Sequence, residues 1–121
     1  VRFVNLPSDD ELGALYRHAS LLAFPSKLEG FGIPPLEAMC VGTPVMSSTA
    51  SCLPEILSNA ALYTDPDDDD KMTEIMLKAI EDPQALRPFV ERGHERVNHF
   101  RWDTTAKQTL ETYLRFGSRR L

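Results

Sequence analysis

Apolar positions along this chain alternate between two periods, short continuous runs and helical stripes. Residues 1–6, with Val1, Phe3, Val4 and Leu6, form an apolar run of strand length closed by Pro7, so a strand is expected there. Ser8 is placed to cap a helix, with Asp9, Asp10 and Glu11 in its first turn and Glu11 at capping-box spacing. Leu12, Leu15, Tyr16 and Ala19 then recur at i, i+3, i+4 and i+7, one face of that helix. Residues 20–24 are short, apolar and continuous, the pattern of a strand buried on both faces in a parallel sheet. Residues 44–47 and 60–63 predict two more strands, with a small polar turn at 48–51 and one turn of helix at 53–57 between them. Met72, Ile75, Met76, Ala79 and Ile80 stripe a helix that follows the acidic run 65–70. Pro83 opens a helix that runs through Phe89 and Val90 and is expected to stop near Gly93. A last helix, capped by Asp103 or Thr104, carries Ala106, Leu110, Tyr113 and Leu114 as its apolar positions. Strands alternating with helices predict an α/β domain, a Rossmann-like parallel sheet flanked by helices.

The stretch from Phe24 to Val45 departs from this plain alternation. An apolar strand ends at Phe24, and a loop carries Glu29 ahead of Gly30 and Gly32. A helix is expected to start at Pro34 or Pro35, where a missing N–H is no loss, and to stop at Gly42. The glycines let backbone approach a ligand closely and take positive φ, and the helix start presents unpaired amides with partial positive charge. Glycine loop and helix start at the carboxyl end of a strand suit a phosphate. A side chain at Gly32 is expected to obstruct the ligand without unfolding the chain. Two carboxylates flank the anion position, Glu29 before the helix and Glu37 in what is expected to be its first turn. Ionised carboxylates only accept hydrogen bonds, so their natural partners are hydroxyl groups. Phosphate with hydroxyl-rich groups on either side describes a nucleotide sugar. Ser26, Ser48, Thr49 and Ser51 are further candidate neighbours of such a ligand, whereas Glu55 is expected to hold its local turn.

Composition narrows the alternatives. With 121 residues, 42% hydrophobic and 26% charged, the chain fits one soluble domain. A net charge of −5 points away from nucleic acid, which needs basic patches. Cys40 and Cys52 lack metal-ligand spacing; Cys40 is expected on a buried helix face, and both read as reduced thiols of a cytoplasmic protein. His18, His94 and His99 form no catalytic or zinc spacing, and the aspartates of the acidic run read as a helix cap rather than a cation site. Arg115, Arg119 and Arg120 cluster at the end of the last helix, where cations suit the dipole. No run approaches the ~20 apolar residues that span a bilayer, so contact with a membrane at its inner face would be peripheral.

Pro25-Ser26, Glu29-Gly30-Phe31-Gly32, Pro34, Leu36-Glu37-Ala38-Met39, Gly42, Pro44-Val45 and Pro54-Glu55 stand in one order, with seven residues between the two glutamates. That string resembles glycosyltransferase family 4, the group 1 retaining transferases of GT-B fold, and the likeness extends to Phe100-Arg101-Trp102. The resemblance implies that residues 1–121 are the C-terminal, donor-binding half of a GT-B enzyme, truncated on its N-terminal side and without the acceptor domain. It implies a nucleotide-sugar substrate, UDP-hexose or UDP-N-acetylhexosamine, a glycan or lipid-linked acceptor, and no metal or other cofactor. It gives Glu29 the catalytic role beside the sugar, Phe31 and Gly32 amide contacts to the sugar, Leu36 an amide contact to phosphate, and Glu37 the ribose hydroxyls. Gly30 and Ile33 complete the donor-binding set. Two other readings stand beside this one: a glycosidase using Glu29 and Glu37 as its carboxylate pair, and a non-catalytic nucleotide-binding or interaction module.

Overall fold

Ser8 starts the first helix by the chemistry its sequence position dictates. Its hydroxyl accepts the Glu11 N–H at 3.3 Å, and its own N–H donates to Glu11 Oε2 at 2.9 Å, a reciprocal capping box. The bonds from Ser8, backbone first, hold the Glu11 carboxyl below its ordinary pKa. The helix so begun, α1 (Asp9–His18), leads in a computed structural model that describes residues 1–117. It is followed by β1 (Leu22–Phe24), α2 (Ile33–Cys40), β2 (Val45–Ser48), α3 (Leu53–Leu57) with a 3₁₀ turn (Ser58–Ala60), and β3 (Leu62–Thr64). Then come α4 (Asp69–Glu81), a second 3₁₀ turn (Pro83–Leu86), α5 (Arg87–Val97) and α6 (Trp102–Gly117).

The three strands form one parallel sheet in the order β1-β2-β3, with Phe24 opposite Ser47 and Ser47 opposite Tyr63. Helices flank it, the α/β architecture that the alternation of patterns predicts. Strand β2 is the centre, and all four of its residues are buried. The core joins it to the helices on either side of it in sequence: Leu36, Ala38 and Met39 from α2, Val45 from β2, and Leu53, Ile56 and Leu57 from α3. Each large aliphatic side chain buried there stabilises the fold by roughly 1.5–3 kcal/mol. Those residues therefore fix the two elements that follow the carboxyl ends of β1 and β2.

Helix α2 ends as expected at Gly42, whose φ of 84° lets its N–H reach Met39 O while the Thr43 N–H reaches Ala38 O. Helix α5 locks α3 from outside. Arg96 donates through Nε to Ile56 O and through a second guanidinium nitrogen to Glu55 O, both at 2.8 Å, and Arg92 Nε donates to Asn59 O at 2.7 Å. These arginines satisfy carbonyls that a short helix leaves open at its end. The acidic run behaves as a cap: Asp68 accepts the Lys71 N–H at 2.9 Å, and Asp65 accepts the Asp67 N–H at 2.9 Å.

Several expectations are corrected. Residues 1–6 form no strand and are exposed, because among the described residues they pair with no neighbouring strand, and a lone strand leaves its backbone groups to water. Strand β1 is an edge of the described sheet with Ala23 exposed, so the strand buried on both faces is β2. Cys40 is exposed, since α2 turns Pro35, Leu36, Ala38 and Met39 inward and leaves Ile33, Glu37 and Cys40 at i, i+4 and i+7 outside. Helix α5 does not stop at Gly93. That glycine sits within the helix against α2, where a Cβ would lie 3.1 Å from Met39 Cγ. Pro83 opens a 3₁₀ turn, and the α-helix proper begins at Arg87. Helix α6 starts at Trp102, with Asp103 inside its first turn paired to Arg101 at 3.1 Å. Its apolar positions Ala106, Leu110, Tyr113 and Leu114 are all exposed. Arg115 lies in its last turn, while Arg119 and Arg120 fall outside the described residues.

Candidate functional site

The loop between β1 and α2 and the turn between β2 and α3 meet beyond the carboxyl edge of the sheet, where open α/β sheets bind ligands. Hydroxyls from the second segment hold the first. Ser48 Oγ donates to Ser26 O at 2.5 Å and accepts the Ala50 N–H at 3.3 Å. Ser51 Oγ donates to Glu29 O at 2.9 Å and accepts the Glu29 N–H at 3.3 Å, and Cys52 Sγ donates to the same carbonyl at 3.4 Å. Glu29 is half-buried at this junction. Lys27, two residues earlier, pairs with Asp67 across the edge, and that carboxylate pushes the ammonium pKa up. Both partners are exposed, so the pair contributes little to stability.

Helix α2 begins one residue earlier than expected, at Ile33, with Gly32 as its N-cap. Gly32 has φ 92°, and a Cβ there would lie 2.7 Å from Leu53 Cδ2. Leu53 is itself wholly buried, so the glycine is required by the core as well as by the turn. A side chain at Gly32 therefore disturbs the fold, contrary to the sequence expectation. Gly30 differs: its φ is not positive, and no heavy atom lies within 4 Å of its Cβ position. Pro34 and Pro35 fill positions whose N–H groups would have no partner within the helix, so the donors at its start are the amides of Gly32 and Ile33. Leu36 is buried in the core, at the point where the helical hydrogen-bond ladder begins.

Glu37 lies in the second turn of α2 rather than the first, on its exposed face. Tyr16 of α1 donates its phenol to Glu37 Oε2 at 3.3 Å. Burial first, and then the Glu37 charge, raises the phenol's pKa. A cavity of about 610 Å³ opens between this face of α2 and the start of α6. Phe31, Ile33, Leu36 and Glu37 line it together with Phe100 and Trp102. Phe31 meets Phe100 edge to face, with centroids 5.5 Å apart, and the Arg96 guanidinium lies 5.0 Å from the Phe100 centroid.

The predicted residues thus fall into two neighbouring groups. Phe31, Ile33, Leu36 and Glu37 share the cavity, whereas Glu29 is held by the β2–α3 turn and Gly30 and Gly32 join the two groups. Ser48 and Ser51 touch the loop's backbone, which makes them its supports. The contacts of Tyr16 and Arg96 escape a reading of the sequence; their partners lie 21 and about 40 residues away, and no local pattern marks such contacts. Among the described residues no group of three or more His, Cys, Asp and Glu side chains is placed to hold a metal ion. No described helix is long and apolar enough to cross a membrane.

A parallel α/β sheet with a loop-and-helix junction beyond its carboxyl edge is an architecture that binds ligands at that edge, and comparison with known proteins gives its family. Residues 1–96 match the family model described as glycosyl transferases group 1, and the chain belongs to that family. It is 34% identical over 113 residues to O-antigen chain mannosyltransferase B of Escherichia coli, covering 93% of this chain and 30% of that protein. It is 46% identical over 90 residues to the O-antigen chain mannosyltransferase RfbU of Salmonella typhimurium, covering 74% of this chain and 25% of that protein. Among solved structures, sucrose-phosphate synthase from Thermosynechococcus elongatus superposes with a TM-score of 0.87 at 28% identity, over 98% of this chain and 31% of that one. That neighbour is a GT-B glycosyltransferase. The chain spans about 30% of the length of the first of these relatives and 25% of the second.

Proposed function

We propose that this chain is the donor-binding unit of a retaining glycosyltransferase, acting with an acceptor-binding domain to move a hexose from a nucleoside diphosphate to a glycan or lipid-linked acceptor. The observation that carries the reading is the Glu29 loop, tied at its backbone to Ser51 and Cys52 and running directly into the start of α2. The names of the two mannosyltransferase relatives favour mannose as the hexose. In this reading the leaving diphosphate lies against the amides of Gly32 and Ile33, with Leu36 behind them. Its growing negative charge meets the positive end of α2, an electrostatic contribution of the kind that often dominates an enzyme's rate. Phe31 and Gly30 line the sugar's approach. Glu29 faces the sugar hydroxyls and the positive charge that develops at the anomeric carbon, and Glu37 accepts hydrogen bonds from the ribose. In this reading the chemistry proceeds without a metal, on the cytoplasmic side.

The test is transfer by the full transferase containing this unit, supplied with UDP-mannose, GDP-mannose or UDP-glucose in the presence of a chelator. Transfer with the donor's anomeric configuration kept in the product, seen by NMR, is the expected result. An inverted product or loss of transfer on chelation would overturn the mechanism. Nucleotide binding without transfer from any donor would favour a non-catalytic binding module.

A further inference from the structure

We propose that Ser51 is a positioning residue for Glu29, fixing the loop from which that carboxylate is presented. The inference rests on the reading of Glu29 given above and adds a residue to it.

One hydroxyl engages both peptide groups of Glu29. Ser51 Oγ donates to the Glu29 carbonyl at 2.9 Å and accepts the Glu29 N–H at 3.3 Å. A serine hydroxyl has one proton to donate and two lone pairs that accept, so this arrangement uses its only proton on the loop. With the N–H and C=O on either side of the Glu29 Cα both held, the direction of its Cα–Cβ bond is set. Ser48 anchors the same loop three residues earlier, through Ser26 O at 2.5 Å. Packing does little of this: Lys27 and Leu28 are exposed, and the Cβ position of Gly30 has no heavy atom within 4 Å. Glu29 is therefore held chiefly by hydrogen bonds from the β2–α3 turn.

Ser51 adopts φ 58°, a left-handed conformation uncommon for a residue with a side chain. Glycine would occupy it more comfortably. The hydroxyl is then the reason for a serine, and Ser51→Gly removes the bonds to Glu29 while relaxing the turn's backbone.

The experiment compares Ser51→Gly, Glu29→Gln and the double variant in the full transferase. Ser51→Gly should lower kcat about tenfold, leave the affinity for the bare nucleoside diphosphate within about twofold, and not lower Tm. Added to Glu29→Gln it should cost nothing further, because a group that acts only through Glu29 has no effect once the carboxylate is lost. Hydrogen exchange should quicken in the peptide covering residues 26–32 and stay unchanged in β2. Unchanged kcat, losses that multiply in the double variant, or a drop in Tm would each overturn the positioning role. Full turnover in Glu29→Gln would overturn the reading of Glu29 itself, and the positioning role with it. Loss in Glu29→Gln alone would remove Ser51 and leave Glu29 standing.

Discussion

Tyr16 and Glu37, on helices α1 and α2, meet at 3.3 Å from phenol oxygen to carboxylate oxygen. An ionised carboxylate has roughly four acceptor positions, so the phenol takes one and leaves the others for a ligand. The proposed ligand groups are the ribose hydroxyls. Glu37→Gln should then weaken binding of a nucleoside diphosphate by about 1–2 kcal/mol, the scale of a lost charge-assisted hydrogen bond. Tyr16→Phe should cost less, about 0.5 kcal/mol, since it removes only an orienting contact. Calorimetry with the diphosphate and, separately, with inorganic phosphate decides the matter. An equal effect on free phosphate would put Glu37 at the wrong end of the ligand.

Gly32 offers a test of the turn rather than of the ligand. Its φ of 92° and the 2.7 Å that would separate a Cβ from Leu53 Cδ2 act together against any side chain. Left-handed backbone costs about 1–2 kcal/mol for a non-glycine residue, and overpacking a core typically costs ~1–3 kcal/mol. Gly32→Ala should therefore lose about 2–5 kcal/mol of unfolding free energy, a large share of the ~5–15 kcal/mol a domain usually has. Gly30→Ala, with open space around it, should lose less than about 1 kcal/mol. Denaturant midpoints that fail to separate the two variants would contradict the geometry.

Tyr63 predicts an alkaline transition. Burial on β3 pushes its phenol up to about 12, opposed in part by the Arg96 charge, while its hydroxyl donates to Ser58 O at 2.7 Å. In the unfolded chain the same phenol ionises near pH 10. The fold thus keeps a proton that the unfolded chain releases. The resulting stabilisation is complete below about pH 10 and disappears as pH rises toward about 12. Tyr63→Phe should lose stability less steeply than the parent between pH 10 and 12. Parallel pH profiles for the two proteins would rule out Tyr63 as the source.

What the sequence discloses follows from how local each feature is. Ser8 and Glu11 form their capping box within one turn, Gly42 ends α2 through bonds to its own last residues, and Asp68 caps α4 through Lys71. Each can be read from spacing alone. The Glu29–Glu37 string is also legible, because its glycines and prolines dictate loop and helix in order. Residues 1–6 and the apolar positions of α6 mislead because an apolar pattern shows what a segment can bury, not whether a surface covers it. Tyr16 to Glu37 and Ser51 to Glu29 join residues 21 and 22 apart, and only the fold brings them together. Gly93 resembles a helix stop for the same reason: its small size serves Met39 on another helix.

Glu29 separates binding from chemistry most sharply. Its proposed neighbours are the sugar hydroxyls and the anomeric carbon, remote from the base and ribose. An interaction that strengthens as the sugar becomes cationic lowers the barrier without tightening the ground state. Glu29→Gln keeps the side chain's shape and leaves the backbone bonds to Ser51 available, so the loop should stay in place. In the full transferase the substitution should lower kcat on the order of a hundredfold, about 2.7 kcal/mol by transition-state arithmetic. Affinity for the bare nucleoside diphosphate should hardly change, because that ligand carries no sugar to meet the carboxylate. Steady-state kinetics and calorimetry on the same preparation make the comparison. A folded Glu29→Gln enzyme with near-full turnover would reduce the glutamate to a structural part of the loop.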